Sequence, residues 1–322
     1  MNFISNALHG LQATWHRLRH DDISHMPLLD SAELAAIQAL TQQHAFSLQQ
    51  NFESSSKLQG DMQGTDYGNG FDFDGLRNYQ NNDELRSINW RAYARTHMLH
   101  VNIFKEERRP GVFIVLDRRV GMRFGTRHAI KAKFAAGIAA YFTLSALTSN
   151  RRAAAACMNQ TADWHSYKQG MRSGKQLLDA MIAPCPPAHQ PLTETSLNTL
   201  LSELPYYTEK GDEIILVSDF HDLDKSSVSA LYKLAQNHAL RAFHILDSAE
   251  LQLPDQGTYT IQSMYSDDTT VIDPDTGPVK QRMNASLQKH HEEVENILIH
   301  SNARYRKIIT QDDLLQTLAD IT

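Results

Sequence analysis

The chain has 322 residues, 41% of them hydrophobic and 21% charged, which is ordinary for a globular protein. Its net charge of -6 and isoelectric point near 6.2 exclude general nucleic-acid binding, because that activity needs a basic face. The length predicts two domains, or one large α/β core with additions. The two cysteines have no metal-ligand spacing, and no segment resembles a secretory signal or a transmembrane span. We therefore expect a cytoplasmic protein with reduced thiols.

The N-terminal part is predicted to be helical. Apolar residues recur at helical spacing over residues 1–25, which indicates an amphipathic helix, and a second helix is expected over residues 31–44. Residues 49–70 are polar and glycine-rich, which is typical of a loop or hairpin.

The next segment contains the most specific pattern of the chain. Residues 81–95 are predicted to form a short helix that Asn81 opens, with Glu84 reaching back to its first turn. Trp90 of this helix is interpreted either as a buried anchor or as part of a partner-docking surface. The candidate partner-binding residues are Arg77, Arg86, Trp90, Arg91 and Arg95.

Two apolar segments have the character of parallel strands that are buried on both faces. Residues 112–116 are followed by Asp117, and residues 213–218 are followed by Asp219. Predicted helices alternate with predicted strands along this part of the chain, and a long apolar helix at residues 128–148 follows the first of the two strands. This alternation predicts an α/β fold with a doubly wound, mostly parallel sheet and helices on both faces. Ligands of such folds bind where the strands end.

These residues resemble a known family. The motif GLRNYQNNDELRSINWRAYARTHMLHV, followed by VFIVLD and GMRFG, is similar to the DUF58 family of bacterial proteins, and the likeness continues through SGKQLLDAM, ILVSDFHD and TQDDLLQTL. The resemblance implies a von Willebrand factor A-like core, and members of the family are often encoded beside MoxR-type AAA+ ATPases. The expected regions are an N-terminal helical segment (1–50), a DUF58 region of strands and a short helix (51–110), the von Willebrand A-like core (111–250) and a C-terminal extension that completes the sheet (251–322).

The resemblance also implies a position for a metal site, because von Willebrand A domains often hold Mg²⁺ where their strands end. The ligands implied by position are Asp117, Thr195 (with Thr193 as the second choice) and Asp219. Arg119 and Gly121 stand where two serine ligands are expected. Mg²⁺ prefers hard oxygen ligands. Compared with the family pattern, this site has lost two hydroxyl ligands and gained a positively charged arginine.

Electrostatics favours a degenerate metal site. An arginine beside a divalent ion is unfavourable, whereas an arginine in place of the ion can pair with both carboxylates. We therefore predict that Arg118 or Arg119 bridges Asp117 and Asp219. The alternative is that both aspartates only cap the loops that follow them. No cofactor is expected, with weak Mg²⁺ binding left open.

No catalytic motif is found in the sequence, which lacks a G-x-S-x-G elbow, an H-E-x-x-H pair, a Walker A loop and a Rossmann glycine set. We therefore predict a non-catalytic interaction protein. The resemblance implies a MoxR-type AAA+ ATPase as its partner, in chaperone-like maturation or remodelling of a protein complex. One alternative is a metal-dependent hydrolase that uses Asp117, Asp219 and Asp222. The other is a membrane-surface regulator that docks through its N-terminal helix, although the polar face of that helix has few basic residues.

Overall fold

The structure is a computed structural model. It describes residues 26–58, 71–80, 83–106, 110–126, 129–186, 193–252, 259–262, 269–272 and 277–321. The chain divides into two compact units, one formed by Met1–Asn51 with Pro110–Thr322 and the other by Phe52–Arg109. The amphipathic helix predicted over residues 1–25 lies outside the described residues.

The helices and strands are numbered along the chain. The helices of the described residues are α1 (Ser31–Leu58), α2 (Trp90–Thr96), α3 (Lys131–Thr148), α4 (Met171–Ile182), α5 (Leu197–Glu203), α6 (Ser227–Ala235), α7 (Ser248–Leu251), α8 (Gly277–His300) and α9 (Leu314–Asp320). The strands are β1 (Phe71–Asn78), β2 (His100–Glu106), β3 (Val112–Asp117), β4 (Ala153–Met158), β5 (Ala162–Lys168), β6 (Glu213–Ser218), β7 (Ala239–Leu246), β8 (Tyr259–Gln262), β9 (Thr269–Ile272) and β10 (Arg304–Ile309).

The larger unit is built on a six-stranded sheet with the order β10-β7-β6-β3-β4-β5. All neighbouring pairs are parallel except β4 and β5, so the sheet has one antiparallel edge strand. Strands β8 and β9 form a separate antiparallel pair. The predicted fold class is confirmed at the level of the α/β architecture: the larger unit has a doubly wound, mostly parallel sheet with helices on both faces.

Apolar residues on both faces of the sheet explain why its central strands are buried. Along β3, Ile114 faces a core formed with α3, α4 and α9, while Phe113 and Val115 face a second core formed with α5, α6 and α8. Because successive side chains of a strand point to opposite faces, a strand covered on both sides needs apolar residues at every position. The two layers of helices fix the sheet and leave its carboxyl edge as the place where loops converge.

The smaller unit contains the antiparallel pair of β1 and β2, with α2 between them in sequence. The helix predicted over residues 81–95 is wrong in its start, because residues 85–87 form a 3₁₀ turn and α2 begins at Trp90. Asn89 is its cap, and its side chain accepts a hydrogen bond from the amide of Ala92 at 2.8 Å. Asn81, the predicted cap, lies outside the described residues.

Helix α1 corrects a second prediction. Residues 49–58 are helical rather than a loop or hairpin, because α1 contains no proline or glycine that would end it earlier. Residues 59–70 of that predicted loop lie outside the described residues. In the part of the chain that the structure describes, no helix combines the length and the apolar character needed to cross a membrane.

Candidate functional site

The carboxyl edge of the main sheet brings the predicted aspartates together. Strand β3 ends at Asp117, and its parallel neighbour β6 is followed by Asp219. Both carboxylates are buried, and so is Arg119, of which only 2% is exposed. Since a buried charge is stable only when it is paired, the site is defined by how these charges are matched.

Arg119 is the centre of this edge. Its Nε donates to Oδ1 of Asp117 at 3.0 Å and its Nη2 donates to Oδ2 of Asp117 at 2.7 Å. Its Nη1 donates to Oδ2 of Asp222 at 2.7 Å, and Nη2 also donates to Oδ1 of Asp222 at 2.9 Å. The carbonyl oxygen of Thr195 accepts a fifth hydrogen bond from Nη1 at 3.3 Å. A guanidinium has five N–H donors, so this hydrogen-bonding capacity is fully used.

The charges of this cluster stabilise one another. Burial alone would raise the pKa of Asp222, but the hydrogen bond and the charge of Arg119 outweigh burial and hold that pKa below its usual value. Burial likewise opposes the charge of Arg119, and the carboxylates of Asp117 and Asp222 raise the pKa of the guanidinium well above normal. The cluster is therefore a salt bridge in which Arg119 binds two carboxylates with bidentate geometry.

The predicted bridge between Asp117 and Asp219 is wrong in its second partner. Arg119 pairs with Asp117 and Asp222, because Asp219 is already bound by Lys131. Arg118, the other arginine considered, points elsewhere. Its guanidinium donates to the carbonyl oxygens of Ala180, Ala183 and Pro184 at the end of α4, at 3.0, 2.5 and 2.9 Å.

Lys131 forms a second buried cation cluster. It lies in the first turn of α3 and is 1% exposed, and its Nζ donates to Oδ2 of Asp219 at 2.9 Å and to Oε1 of Glu250 at 2.6 Å. His221 Nδ1 lies 3.0 Å from Oδ1 of Asp219. Burial would raise the pKa of Asp219, but the charges of Lys131 and His221 lower it well below normal. Both strand-end aspartates are thus matched by side chains of the protein itself.

The other residues assigned by position have structural roles. A Cβ atom on Gly121 would lie 2.6 Å from Oδ2 of Asp219, so the glycine leaves room for that carboxylate. The hydroxyl of Thr195 donates to the carbonyl oxygen of Gln160 at 3.1 Å, and only its backbone carbonyl contacts Arg119. Thr195 is therefore not arranged as a hydroxyl ligand of this edge.

The donor set does not fit a divalent ion while the arginine is in place. Atoms of Asp117, Asp219 and His221 lie within 4.8 Å of one another, which is compact enough to hold a metal. However, Asp117 also accepts from the Ser218 hydroxyl at 2.6 Å, and a guanidinium and an ammonium group lie against the two carboxylates. A divalent cation there would be repelled by both and would have to displace existing hydrogen bonds.

The predicted partner-binding residues of the smaller unit form a different surface. Trp90 is 62% exposed and makes an edge-to-face contact with Tyr93, with ring centroids 6.1 Å apart. The interpretation of Trp90 as a buried anchor is therefore wrong. Arg86, Arg91 and Arg95 are exposed and have no hydrogen-bond or ion-pair partner among the described residues.

Arg77 differs from those three arginines because it is engaged within the unit. Its guanidinium donates to both carboxylate oxygens of Asp83, at 2.6 and 2.5 Å. That pair connects β1 to the segment before α2. Asn89 contributes to the same framework, since its side-chain amide donates to Asn102 of β2 at 2.8 Å while its oxygen caps α2.

Sequence reasoning missed Lys131 and Glu250. A signal for Lys131 exists, because a lysine that opens an otherwise apolar, buried helix needs an acidic partner. No such signal points to Glu250, which lies in α7 and reaches Lys131 only through the folded arrangement of the loops.

Comparisons with known proteins find a family and several relatives of this chain. The family model described as "Protein of unknown function DUF58" matches residues 75–293. The uncharacterised proteins Rv1480 of Mycobacterium tuberculosis and Mb1516 of Mycobacterium bovis are each 27% identical to this chain over 212 residues. The match covers 65% of this chain and 65% of each relative, so the chain spans less than two thirds of their length.

Two solved structures are similar at low identity. BatB from Bacteroides thetaiotaomicron is 13% identical with a TM-score of 0.41. An aerotolerance-related membrane protein from Bacteroides fragilis is 15% identical with a TM-score of 0.40. Each match covers 66% of this chain and 96% of the other chain.

Proposed function

Because the chain belongs to the DUF58 family, whose model matches residues 75–293, we propose that it is a non-catalytic interaction module. Its partner is a MoxR-type AAA+ ATPase, and the pair acts in the cytoplasm in chaperone-like maturation or remodelling of a protein complex. The observation that carries this proposal is the exposed Trp90 surface, formed by Trp90, Tyr93, Arg86, Arg91 and Arg95.

The chemistry of the Trp90 surface supports protein binding. Tryptophan, tyrosine and arginine are the residues most often found at the energetic centres of protein interfaces. Helix α2 carries its aromatic pair on the outside while Ala92 and Ile88 are buried beneath it. The backbone that carries these exposed rings is therefore anchored by buried neighbours, which reduces the ordering cost when a partner binds.

The charge of this surface favours an acidic partner. Arg86, Arg91 and Arg95 have no internal counter-charge among the described residues, and they flank the aromatic pair along the chain. A positive rim around an apolar centre accelerates association with a negative surface and excludes basic ones. We therefore infer that the ATPase presents carboxylates around an apolar pocket that receives Trp90.

The carboxyl edge of the main sheet gives no support to the hydrolase alternative. That reaction needs carboxylates free to hold metal ions or to activate water. Here Asp117 and Asp222 share Arg119, and Asp219 is paired with Lys131. These pairs favour an edge that stabilises the fold over one that performs chemistry.

The proposal is tested by equilibrium binding of the purified chain to the purified MoxR-type ATPase of the same organism. Truncation of an interface centre costs about 2 kcal/mol or more, so Trp90→Ala is expected to weaken binding roughly 30-fold. Tyr206→Ala is the matched control, because Tyr206 is an exposed aromatic residue of the larger unit, 86% accessible. Its affinity should equal that of the unaltered chain.

Circular dichroism and thermal unfolding of both variants establish that the fold is intact. Equal affinities of Trp90→Ala and the unaltered chain would reject the Trp90 surface as the docking site. No binding of the unaltered chain, with or without ATP and Mg²⁺, would reject the ATPase as the partner.

A further inference from the structure

The oxygen atoms around Arg119 form a cage that resembles the surroundings of a metal ion. Five oxygens from three chain segments point at one guanidinium: both of Asp117, both of Asp222 and the carbonyl of Thr195. All are hard oxygen donors of the kind that Mg²⁺ and Mn²⁺ prefer. Asp117 and Arg119 are buried while Asp222 is partly exposed, and the two carboxylates supply more negative charge than one arginine neutralises.

Arg119 enters this cage from within the chain. It lies two residues after Asp117, and its own backbone amide also donates to Oδ1 of Asp117 at 3.0 Å. The guanidinium is thus tethered to the carboxylate that it binds and cannot diffuse away. At equal intrinsic affinity, a tethered cation outcompetes a free one whenever its effective concentration exceeds the concentration of the free cation.

We propose that Arg119 is a permanent internal substitute for a divalent cation, and that it masks a cation site which this edge would otherwise form. The neighbouring carboxylate, Asp219, is also paired with a cation of the protein, because Lys131 binds it. Asp219 lies so close to Gly121 that a larger residue does not fit at position 121. The edge consequently holds its loops together without any ion.

This substitution limits how the edge recognises a partner. A bound divalent ion with an open coordination position can accept a carboxylate from another protein. The Arg119 guanidinium has no donor left and is almost fully buried, so it cannot accept one. Any binding at this edge is therefore independent of an ion-bridged carboxylate.

Titration calorimetry with Mn²⁺ alone tests the proposal on the full chain. The unaltered chain should give no saturable heat. Arg119→Ser removes the guanidinium and places a hydroxyl ligand next to Asp117, so this variant should bind one Mn²⁺ per chain. Adding Asp117→Asn to Arg119→Ser should weaken that binding at least tenfold.

Arg118→Ser is the matched control. It also removes a buried arginine from the same loop, but that guanidinium binds carbonyl oxygens at and just beyond the end of α4 rather than carboxylates. It should gain no Mn²⁺ site. The control separates the unmasking of a cage from a general loosening of the loop.

Thermal unfolding keeps the test decisive where Arg119→Ser folds poorly. Mn²⁺ should raise the melting temperature of Arg119→Ser, or restore its circular dichroism spectrum, and leave the unaltered chain unchanged. One-to-one Mn²⁺ binding by the unaltered chain that Asp117→Asn abolishes would overturn the proposal. So would an Arg119→Ser variant that Mn²⁺ neither binds nor stabilises.

Discussion

Removal of the Arg119 guanidinium is predicted to lower the stability of the larger unit. Arg119→Met keeps much of the side-chain volume and leaves the buried Asp117 and the partly buried Asp222 without their arginine counter-charge. Breaking a buried pair in this way costs ~3–5 kcal/mol, because an uncompensated charge remains in the interior. We expect that loss in the free energy of unfolding of the larger unit, measured by urea titration.

The comparison for Arg119→Met is a solvent-accessible ion pair of the same unit. Lys133 lies 2.5 Å from Glu33, with about a third of each side chain exposed. Lys133→Met should cost less than about 1 kcal/mol, as exposed pairs do. Similar losses of unfolding free energy in the two variants would contradict this prediction. They would show that the ion pairs of Arg119 stabilise the fold no more than a solvent-accessible ion pair does.

Gly121 gives a second prediction at the scale of a single residue. Gly121→Ala places a Cβ 2.6 Å from Oδ2 of Asp219, and that carboxylate is held by Lys131 and His221 and cannot easily move. Overpacking of this kind costs about 1–3 kcal/mol. Urea titration of the variant measures the loss, and an unchanged midpoint would contradict the close contact.

The sequence predicts the positions of these residues better than their partners. Asp117 and Asp219 follow buried strands, and such positions meet at one edge of a parallel sheet. The pairing of Arg119 with Asp222 depends instead on the loop after β6, where Phe220 has a left-handed backbone (φ 52) and directs the chain back to the edge. No pattern of residue types specifies that turn, since left-handed backbone usually favours glycine or asparagine.

At the scale of elements, the N-terminus of α2 is stabilised by its capping residue, Asn89. Helices of two turns have little stability of their own, so loss of the Asn89 cap should cost about 1 kcal/mol. Asn89→Ala also removes the hydrogen bond to Asn102 of β2. We expect faster amide exchange across α2 in this variant, with the exchange of the main sheet unchanged. Equal exchange in α2 before and after the substitution would contradict the role of the cap.

A histidine cluster connects β7, α8 and β10. His244 of β7 is fully buried, and its Nδ1 lies 2.9 Å from the hydroxyl of Tyr305 in β10. Its ring contacts that of His291 in α8 with centroids 5.4 Å apart. Burial lowers the pKa of both histidines, and for His244 the neighbouring His291 adds to the effect. Both rings are therefore neutral in the folded chain at neutral pH.

This cluster makes stability depend on pH. A histidine of the unfolded chain titrates near pH 6.5, whereas His244 stays neutral in the folded chain well below that value. Stability is therefore fully present above about pH 6.5 and is lost as the pH falls, because the unfolded state takes up the proton first. Each such histidine contributes a slope of about 1.4 kcal/mol per pH unit over that window.

His244→Asn tests this dependence. Asparagine does not titrate and has a side-chain amide that can still meet the hydroxyl of Tyr305. The free energy of unfolding of the variant should fall less steeply between about pH 6.5 and 5 than that of the unaltered chain. His221, whose pKa is raised by Asp219, acts in the opposite direction but is present in both proteins. Parallel pH profiles would contradict the assignment.

Helices and strands could be predicted from the sequence where a pattern of apolar residues defines them. The buried strands β3 and β6 follow from continuous apolar residues, and α3 follows from a long apolar run. Ends of helices were predicted less well, because more than one residue near an end can act as a cap. The residue before α4 is Gly170, which has no side chain to act as a cap. Asp313 caps α9, whereas the nearby Thr310 is buried with its hydroxyl on Asp247.

At the scale of the whole molecule, the two compact units differ in how their charges are used. The larger unit pairs its buried cations internally at the carboxyl edge of the sheet. The smaller unit leaves arginines and an aromatic pair exposed around α2. The carboxyl edge, where α/β folds bind ligands, therefore serves stability in this chain, and our proposal places partner recognition at the Trp90 surface.

Hydrogen–deuterium exchange of the full chain, with and without the MoxR-type ATPase proposed as its partner, tests that division most directly. The account predicts slower exchange across residues 85–100 on binding, with no change at residues 117–123 and 219–222. Protection confined to residues 117–123 and 219–222, with residues 85–100 unaffected, would contradict it and would place the partner on the carboxyl edge of the sheet.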